Sequence, residues 1–221
     1  MAIHLHPTAA LAPRVLLPGD PGRALLLAQE LLAEPKMFNH NRGLWGYTGA
    51  AADGEPLTIQ STGMGGPSAA IVLEELCDLG VRRAVRVGTC GALDGDLRLG
   101  DLVVAAEALA ADGTSRALGA GERIAAPGRL APEGRRGLVV STDLFYDPDP
   151  AREASWREAG ALAVEMETAA LYAVGARRGV EIASVLAVTD LLDGARVRID
   201  HDGLVAASTR VGRAGAAALL S

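Results

Sequence analysis

The sequence predicts an α/β fold: a single domain over residues 1–221 with a central mixed, mostly parallel twisted sheet flanked by helices. Short apolar runs are continuous rather than alternating and are bounded by Gly, Asp or Pro, which is typical of strands covered on both faces. Segments with apolar residues at helical spacing lie between these runs, and such alternation indicates a parallel or mixed sheet. Aromatic residues make up only 3% of the chain, so we expect a core of Ala, Val, Leu and Ile.

The apolar runs and the helical segments can be placed in chain order. Buried strands are predicted at residues 15–17, 57–60, 84–87, 102–105, 138–140 and 182–188. Helices are predicted at residues 21–32, 67–79, 166–178 and 204–220. Proline opens the first two helices, where its missing N–H has no intrahelical partner to lose. Residues 117–137 are rich in Gly, Pro and Arg and lack periodicity, so they are expected to form a mobile surface connection.

Composition excludes several classes of protein. Acidic residues outnumber basic ones by 27 to 21, a formal charge of −6, which argues against non-specific binding to nucleic acid. We expect no membrane partner, because no secretory signal opens the chain and no uncharged apolar run reaches the roughly 18–20 residues that span a bilayer. Cys77 and Cys90 are too few for a disulfide framework, and their spacing is not a metal pattern. A reduced, cytoplasmic protein is therefore expected.

Two strand ends carry residues suited to an anion. Gly19 and Arg23 lie in a turn that leads into a helix, where backbone N–H groups and a guanidinium favour a negatively charged ligand. A tight strand-to-helix turn without a ligand is an equally good interpretation of these residues. Arg86 lies inside an apolar strand, which is costly unless an anion or a carboxylate pairs with it. Thr89 and its flanking glycines could bind the same anion, and a structural salt bridge for Arg86 is the alternative.

Acidic and aromatic residues mark two further places. Glu165 and Glu167 flank a methionine where a strand meets a helix, and capping of that helix is the alternative to a binding role. Asp190 directly follows the longest apolar strand and could act as an acid, although a lone aspartate there is often a turn residue. Phe145 and Tyr146 could stack on a base or simply pack. A site that combines arginines, hydroxyls, carboxylates and an aromatic ring is suited to a ligand set of phosphate, a polyol and a heterocycle.

Seven motifs, in chain order, resemble the nucleoside phosphorylase-I family, in particular the bacterial, usually hexameric purine nucleoside phosphorylases. They are LPGDP from Leu17, RGLWGYTG from Arg42, TGMG from Thr62, RVGTCG from Arg86, DLFY from Asp143, VEME from Val164 and VTD from Val188.

The resemblance implies a role for each matching residue. Phosphate would be held by Gly19, Arg23, Arg42, Arg86 and Thr89, with Arg42 supplied by a neighbouring subunit. The nucleoside would contact His4 of a neighbouring subunit and Met64, Cys90, Gly91, Phe145, Glu165, Met166, Glu167, Thr189 and Asp190. Asp190, Arg86 and Glu167 would be catalytic, with Asp190 protonating purine N7.

The implied activity is phosphorolysis of purine (deoxy)ribonucleosides to a free purine and a (deoxy)ribose 1-phosphate, as a glycosyltransferase (pentosyltransferase) of purine salvage. Inorganic phosphate would be the co-substrate, without a cofactor or metal. The active form would be a homo-oligomer with shared active sites, either a dimer or a trimer of dimers that makes a hexamer.

The chain departs from the family pattern in three places, the first being Thr189, where the purine enzymes often have Ser. The connection before Ser141 is shorter than in relatives. The arginine that follows the catalytic aspartate in many relatives has only Arg196 and Arg198 as candidates, and His6 could replace His4.

Three other functions are alternatives to a purine phosphorylase, and particular residues of the chain argue against each of them. A uridine phosphorylase would carry a Gln and Arg pair for uracil where this chain has Phe145 to Pro148. A nucleosidase has no need for Arg23, Arg42 and Arg86 together. A non-catalytic nucleoside- or dinucleotide-binding module has no use for an acid beside a phosphate cage, and Gly-x-Gly-x-x-Gly is absent after the first strand.

Overall fold

The computed structural model describes residues 2–194 and 196–220. Its strands are β1 Arg14–Leu17, β2 Ala33–Asn39, β3 Gly46–Ala50, β4 Pro56–Gln60, β5 Arg83–Ala92, β6 Leu102–Ala111, β7 Arg123–Ala125, β8 Arg135–Thr142, β9 Ala161–Glu165, β10 Glu181–Leu191 and β11 Val197–Arg198. Its helices are α1 Pro21–Leu31, α2 Gly66–Asp78, α3 Gly113–Ala117, α4 Pro150–Glu158, α5 Thr168–Arg178 and α6 His201–Leu220, with a 3-10 turn at Asn41–Gly43. Within these ranges no helix has both the length and the apolar character that crossing a membrane requires.

All of these strands belong to one mixed sheet that closes on itself at one end. Strands β4, β1, β5 and β10 run parallel side by side, and so do β6, β8 and β9. Antiparallel pairing of β10 with β6 and of β5 with β9 joins the two sets into a closed ring. Strands β3 and β2 extend the open end in antiparallel pairing. The mixed α/β sheet is confirmed, and one domain over residues 1–221 stays a prediction.

Strand β5 changes its neighbour along its length, and this change creates the site. Residues Arg83 to Arg86 pair with β1, whereas Gly91 and Ala92 pair with β9. Residues 87–90 of β5 pair with neither β1 nor β9 on this side of the strand. Because strands diverge at such a point, the backbone leaves a crevice at their carboxyl ends, where ligands bind in α/β sheets.

Helices cover both faces of the sheet. On one face, α2 and α5 bury Leu73 and Leu171 against the strands; on the other, α1 and α6 bury Leu27 and Val211. Full burial of each such side chain contributes about 1.5–3 kcal/mol. Helix α4 adds Trp156 to a third, smaller cluster beside β8 and β9.

Every strand and helix expected from the sequence is present, and most are longer than expected. The prediction of a mobile connection at residues 117–137 is wrong in part, because β7 and the beginning of β8 lie inside it. Strand β7 is short and mostly exposed, so it leaves no apolar run to detect. The first five residues of β2 are also exposed, so the sequence has no apolar run that would predict this strand.

Candidate active site

A cavity of about 940 Å³ occupies the crevice where β1 and β9 part from β5. Thirteen of the fifteen residues expected in the site line it: Gly19, Arg23, Met64, Arg86, Thr89, Cys90, Gly91, Phe145, Glu165, Met166, Glu167, Thr189 and Asp190. His4 and Arg42 do not line it. Residues scattered over the sequence therefore meet because the ends of β1, β5, β8, β9 and β10 converge.

Arg86 lies at the buried end of the cavity and pairs with two carboxylates. Its Nε donates to Glu165 Oε2 at 3.0 Å, and its Nη2 lies 2.9 Å from the same oxygen and donates to Glu167 Oε2 at 2.5 Å. Burial alone would lower the pKa of Arg86, but the charges of Glu167 and Glu165 outweigh it and raise that pKa. Arg86 Nη1 is buried without a hydrogen-bond partner among the described residues. Its N–H groups are therefore free to bind an anion.

Gly88 makes room for this guanidinium. A Cβ atom at Gly88 would lie 2.7 Å from Arg86 Nη2 and 2.8 Å from Arg86 Cζ. A side chain at this position of β5 would therefore force the Arg86 guanidinium, and Leu186 beside it, to shift.

Arg23 brings a second positive charge from the first turn of α1. Asp20 caps this helix, because its Oδ1 accepts the Arg23 backbone N–H at 2.7 Å. The guanidinium Nε donates to Ser208 Oγ of α6 at 3.2 Å. Burial, followed by the nearby charge of Arg86, lowers the pKa of Arg23. An anion placed between the two arginines would relieve their repulsion.

Glu167 stands next to this anion site at the beginning of α5. Its Oε1 accepts the Gly65 N–H at 2.6 Å, while Oε2 accepts from Arg86. Burial raises the pKa of Glu167, although the charge of Arg86 opposes the shift. A carboxylate in this position can accept hydrogen bonds from sugar hydroxyls.

The Gly65 N–H reaches Glu167 because the backbone turns sharply before α2. Gly65 has φ +84°, a conformation that glycine adopts without steric cost. The preceding Met64 is 86% exposed at the cavity mouth, where it can cover a bound ligand.

Asp190 is buried in the wall of the same cavity. Its Oδ2 accepts from Thr189 Oγ1 at 2.9 Å, whereas Oδ1 lies 2.9 Å from Arg196 Nε and 3.0 Å from Arg198 Nε. The register of β10 against β5 shifts between Val188 and Asp190. An irregularity of this kind re-aims side chains at the end of a strand, and here it accompanies an aspartate in the cavity wall.

Aromatic side chains form the outer wall near Asp190. Phe145 is 47% exposed and meets Tyr146 edge-to-face, with ring centroids 5.0 Å apart. The Arg196 guanidinium lies 4.6 Å from the Phe145 centroid, which is a cation–π contact. Cys90 is buried in the wall, and burial raises the pKa of its thiol.

His4 and Arg42 lie together on another part of the surface. His4 Nδ1 is 2.7 Å from Glu75 Oε1, and the His4 carbonyl accepts from Asn41 Nδ2 at 2.9 Å. Arg42 is exposed, with φ +57°. His6 is also exposed, and its ring contacts the Ile3 carbonyl. Neither candidate histidine lines the cavity.

Sequence reasoning missed several groups that hold the site together. Ser208 supports Arg23 from a helix near the end of the chain, and Ser141 donates to Glu165. The Gly65 N–H was also missed, although two glycines in Thr62–Gly65 signal an unusual turn there. Neither serine carries a sequence signal, since each acts through a contact distant in the chain.

Comparisons with known proteins agree with this geometry. The family model described as "Phosphorylase superfamily" matches residues 13–221. The chain is 37% identical over 207 residues to a protein of Caldanaerobacter subterraneus subsp. tengcongensis named purine nucleoside phosphorylase DeoD-type, covering 87% of this chain and 89% of that one. A protein of the same name from Geobacillus kaustophilus is 39% identical over 205 residues, covering 86% of each.

A solved structure shows the same fold. The crystal structure of uridine phosphorylase from Vibrio fischeri with 6-hydroxy-1-naphthoic acid superposes with a TM-score of 0.85 at 28% identity. The match covers 95% of this chain and 92% of that one.

Proposed function

The chain belongs to the phosphorylase superfamily, and from this premise we infer that it catalyses the phosphorolysis of purine nucleosides. The products are a free purine and a pentose 1-phosphate, which makes the protein a pentosyltransferase. The cytoplasmic location expected from the sequence stays a prediction.

The unpartnered Nη1 of Arg86 is the single observation that carries the proposal. A buried cationic donor without a partner is costly, so it indicates a ligand that completes it. Arg23 adds a second charge at the same end of the cavity. Phosphate supplies acceptor oxygens for Arg86 Nη1 and a negative charge close to Arg23.

The arrangement suits attack by phosphate on a sugar carbon. A phosphate oxygen forms the new bond to C1′ as the bond from C1′ to N9 of the base breaks. Positive charge develops on the sugar in the transition state, and the anionic phosphate stabilises it at close range. Arg86 and Arg23 orient the phosphate for this step, which lowers the entropic cost of the reaction.

Glu167 is proposed to hold the ribose. It lies between the anion site and the Met64 end of the cavity, and it accepts hydrogen bonds at both oxygens. Met166 and Met64 line the cavity on either side and would pack on the sugar.

Asp190 is proposed to protonate the base at N7. Arg196 and Arg198 occupy its Oδ1, so Oδ2 is the oxygen that can carry the proton. The partner of Oδ2 is the Thr189 hydroxyl, which can either donate or accept and so suits both protonation states. Phe145 would stack on the departing base.

We propose that active sites are shared in an oligomer. Neither His4 nor Arg42 lines its own cavity, yet the two are close together on the surface. A neighbouring copy that presents this surface would bring both residues to the sugar and the phosphate at once. The prediction of a dimer or a trimer of dimers rests on this sharing.

Uridine phosphorolysis is the second candidate, favoured by the likeness to the Vibrio fischeri enzyme. The base end of the cavity argues for a purine instead. Phe145 to Pro148 occupy the positions where a Gln and Arg pair would recognise uracil. The presence of Asp190 in the same cavity supports its proposed action on a purine N7.

The test is to incubate the protein with inosine, adenosine, guanosine or uridine, each with and without inorganic phosphate, and to follow free base. We expect purine release that requires phosphate. Release without phosphate would identify a nucleosidase, and release of uracil alone would identify a uridine phosphorylase. Absence of any release under all conditions would refute a phosphorylase activity on these nucleosides.

A further inference from the structure

Glu165 lines the cavity, but its carboxylate is fully engaged by the protein. Oε2 accepts from Arg86 Nε at 3.0 Å and from the Glu167 backbone N–H at 2.9 Å. Oε1 accepts from Ser141 Oγ, and the Thr168 backbone N–H lies 3.0 Å from both oxygens. A carboxylate has about four acceptor positions, and these donors fill them. No position remains for a sugar hydroxyl.

The contacts to Arg86 decide which edge of the guanidinium faces the cavity. A guanidinium carries five N–H groups in a rigid plane. Glu165 takes the edge formed by Nε and Nη2, and Glu167 takes the other side of Nη2. The Nη1 edge is left over, and it is the one without a partner.

Ser141 and the beginning of α5 hold Glu165 itself. Ser141 Oγ contacts Glu165 and also accepts the Ala169 N–H at 2.9 Å. Glu165 side-chain exposure is 1%, so it has no freedom to turn toward a ligand without breaking several hydrogen bonds.

We propose that Glu165 is a positioning residue for phosphate, which turns the Nη1 edge of Arg86 toward the anion, and that it does not contact the nucleoside. This role rests on the proposed function, since it assigns phosphate as the ligand of Arg86. It also separates the two acids of the Glu165-Met166-Glu167 motif: the first orients the arginine, and the second meets the sugar.

Two substitutions of Glu165 distinguish the effect of its side-chain length from the effect of its charge. Glu165→Asp keeps the charge but draws the carboxylate back by one methylene, whereas Glu165→Gln keeps the reach and one acceptor oxygen. For E165D we expect the Kd of inorganic phosphate, measured by isothermal titration calorimetry, to rise about tenfold, comparable to one hydrogen bond to a charged group. For E165Q we expect a rise of less than about threefold, with KM for inosine in both variants within about threefold of wild type.

Thr168→Val is the matched control. It removes the buried hydrogen bond between Thr168 Oγ1 and Ser184 Oγ at 2.9 Å but keeps the Thr168 backbone N–H that Glu165 accepts, so the contacts of Glu165 to the helix and to Arg86 stay intact. The phosphate Kd of T168V should stay at the wild-type value. If E165D does not fold, Ser141→Ala takes its place, because it removes the donor to Oε1 and should raise the phosphate Kd by a few fold.

Other outcomes would overturn the proposal. A higher inosine KM with an unchanged phosphate Kd in E165D would make Glu165 a nucleoside ligand. Equal changes in E165D and T168V would reduce it to a structural residue. Because calorimetry needs no turnover, wild-type protein that binds phosphate but cleaves no nucleoside would refute only the proposed function. Wild-type protein that binds no phosphate would refute the positioning role too.

Discussion

At the scale of single residues, the cavity combines an anion site with an acid. Arg86 and Arg23 bring two guanidinium groups to the anion site, and Asp190 lines the same cavity near Phe145. A nucleoside would use both, because its sugar meets the phosphate and its base carries the group that must accept a proton. A protein that only binds a nucleoside would have little use for an acid beside an anion site.

Asp190→Asn tests the acid at this scale. The amide has the size of the carboxyl group but cannot transfer a proton, so we expect kcat for inosine to fall by about 10²–10⁴-fold. A nucleoside methylated at N7 already carries the positive charge that protonation would create. Its cleavage by D190N should stay close to the wild-type rate, as measured by release of base. Equal losses on both substrates would contradict the role of acid.

At the scale of elements, helix α2 tethers the beginning of the chain. Glu75 accepts the backbone N–H groups of Ile3, His4 and Leu5 at 2.8 to 3.0 Å, and its Oε1 is 2.7 Å from the His4 ring. Burial would raise the pKa of Glu75, but these hydrogen bonds outweigh it and lower the pKa to about 2. The tether holds His4 in one orientation and leaves its other ring nitrogen available.

Glu75→Gln tests the tether through its pH dependence. A carboxyl group whose pKa falls from 4.5 to about 2 on folding stabilises the native state above pH 4.5. That contribution is lost as the pH falls from 4.5 toward 2. We therefore expect E75Q to be less stable than wild type at pH 7 and the difference to shrink over this range, as measured by urea denaturation. A difference that does not vary with pH would contradict the tether.

At the scale of the whole molecule, the division of residues between cavity and surface supports the proposed sharing of sites between copies. The chain carries the cavity in one place and the surface with His4 and Arg42 in another. Each copy would then contribute to two sites, and a monomer would lack part of its phosphate cage.

Mixing two inactive variants tests this sharing. Arg42→Ala damages the surface contribution, and Asp190→Asn damages the pocket. Subunits exchanged at random into symmetric pairs would restore about a quarter of the wild-type sites, because an R42A pocket can receive Arg42 from D190N. Activity is measured after joint unfolding and refolding. As a control, D190N mixed with Arg23→Ala should restore nothing, since both changes lie in the pocket. No recovery in the first mixture would argue for self-contained subunits.

The sequence by itself determined the α/β class, most of the buried elements and thirteen residues of the cavity wall. These signals are local: an apolar strand, a proline at a helix start, or an arginine in an apolar run can be read within a few residues. The motifs that carry the family resemblance are also short and local, so Arg86, Glu167 and Asp190 were found before any contact was known.

Only the tertiary structure decided how these residues are joined. Closure of the sheet through β5 and β9 and the support of Arg23 by Ser208 depend on segments distant in the chain. The structure also decides that both Arg196 and Arg198 contact Asp190. The family resemblance implied that Glu165 contacts the nucleoside, whereas in the structure its carboxylate accepts hydrogen bonds from Arg86, Ser141 and the backbone. Such contacts follow from packing, since the partner of a buried polar group is whichever donor the fold brings within reach.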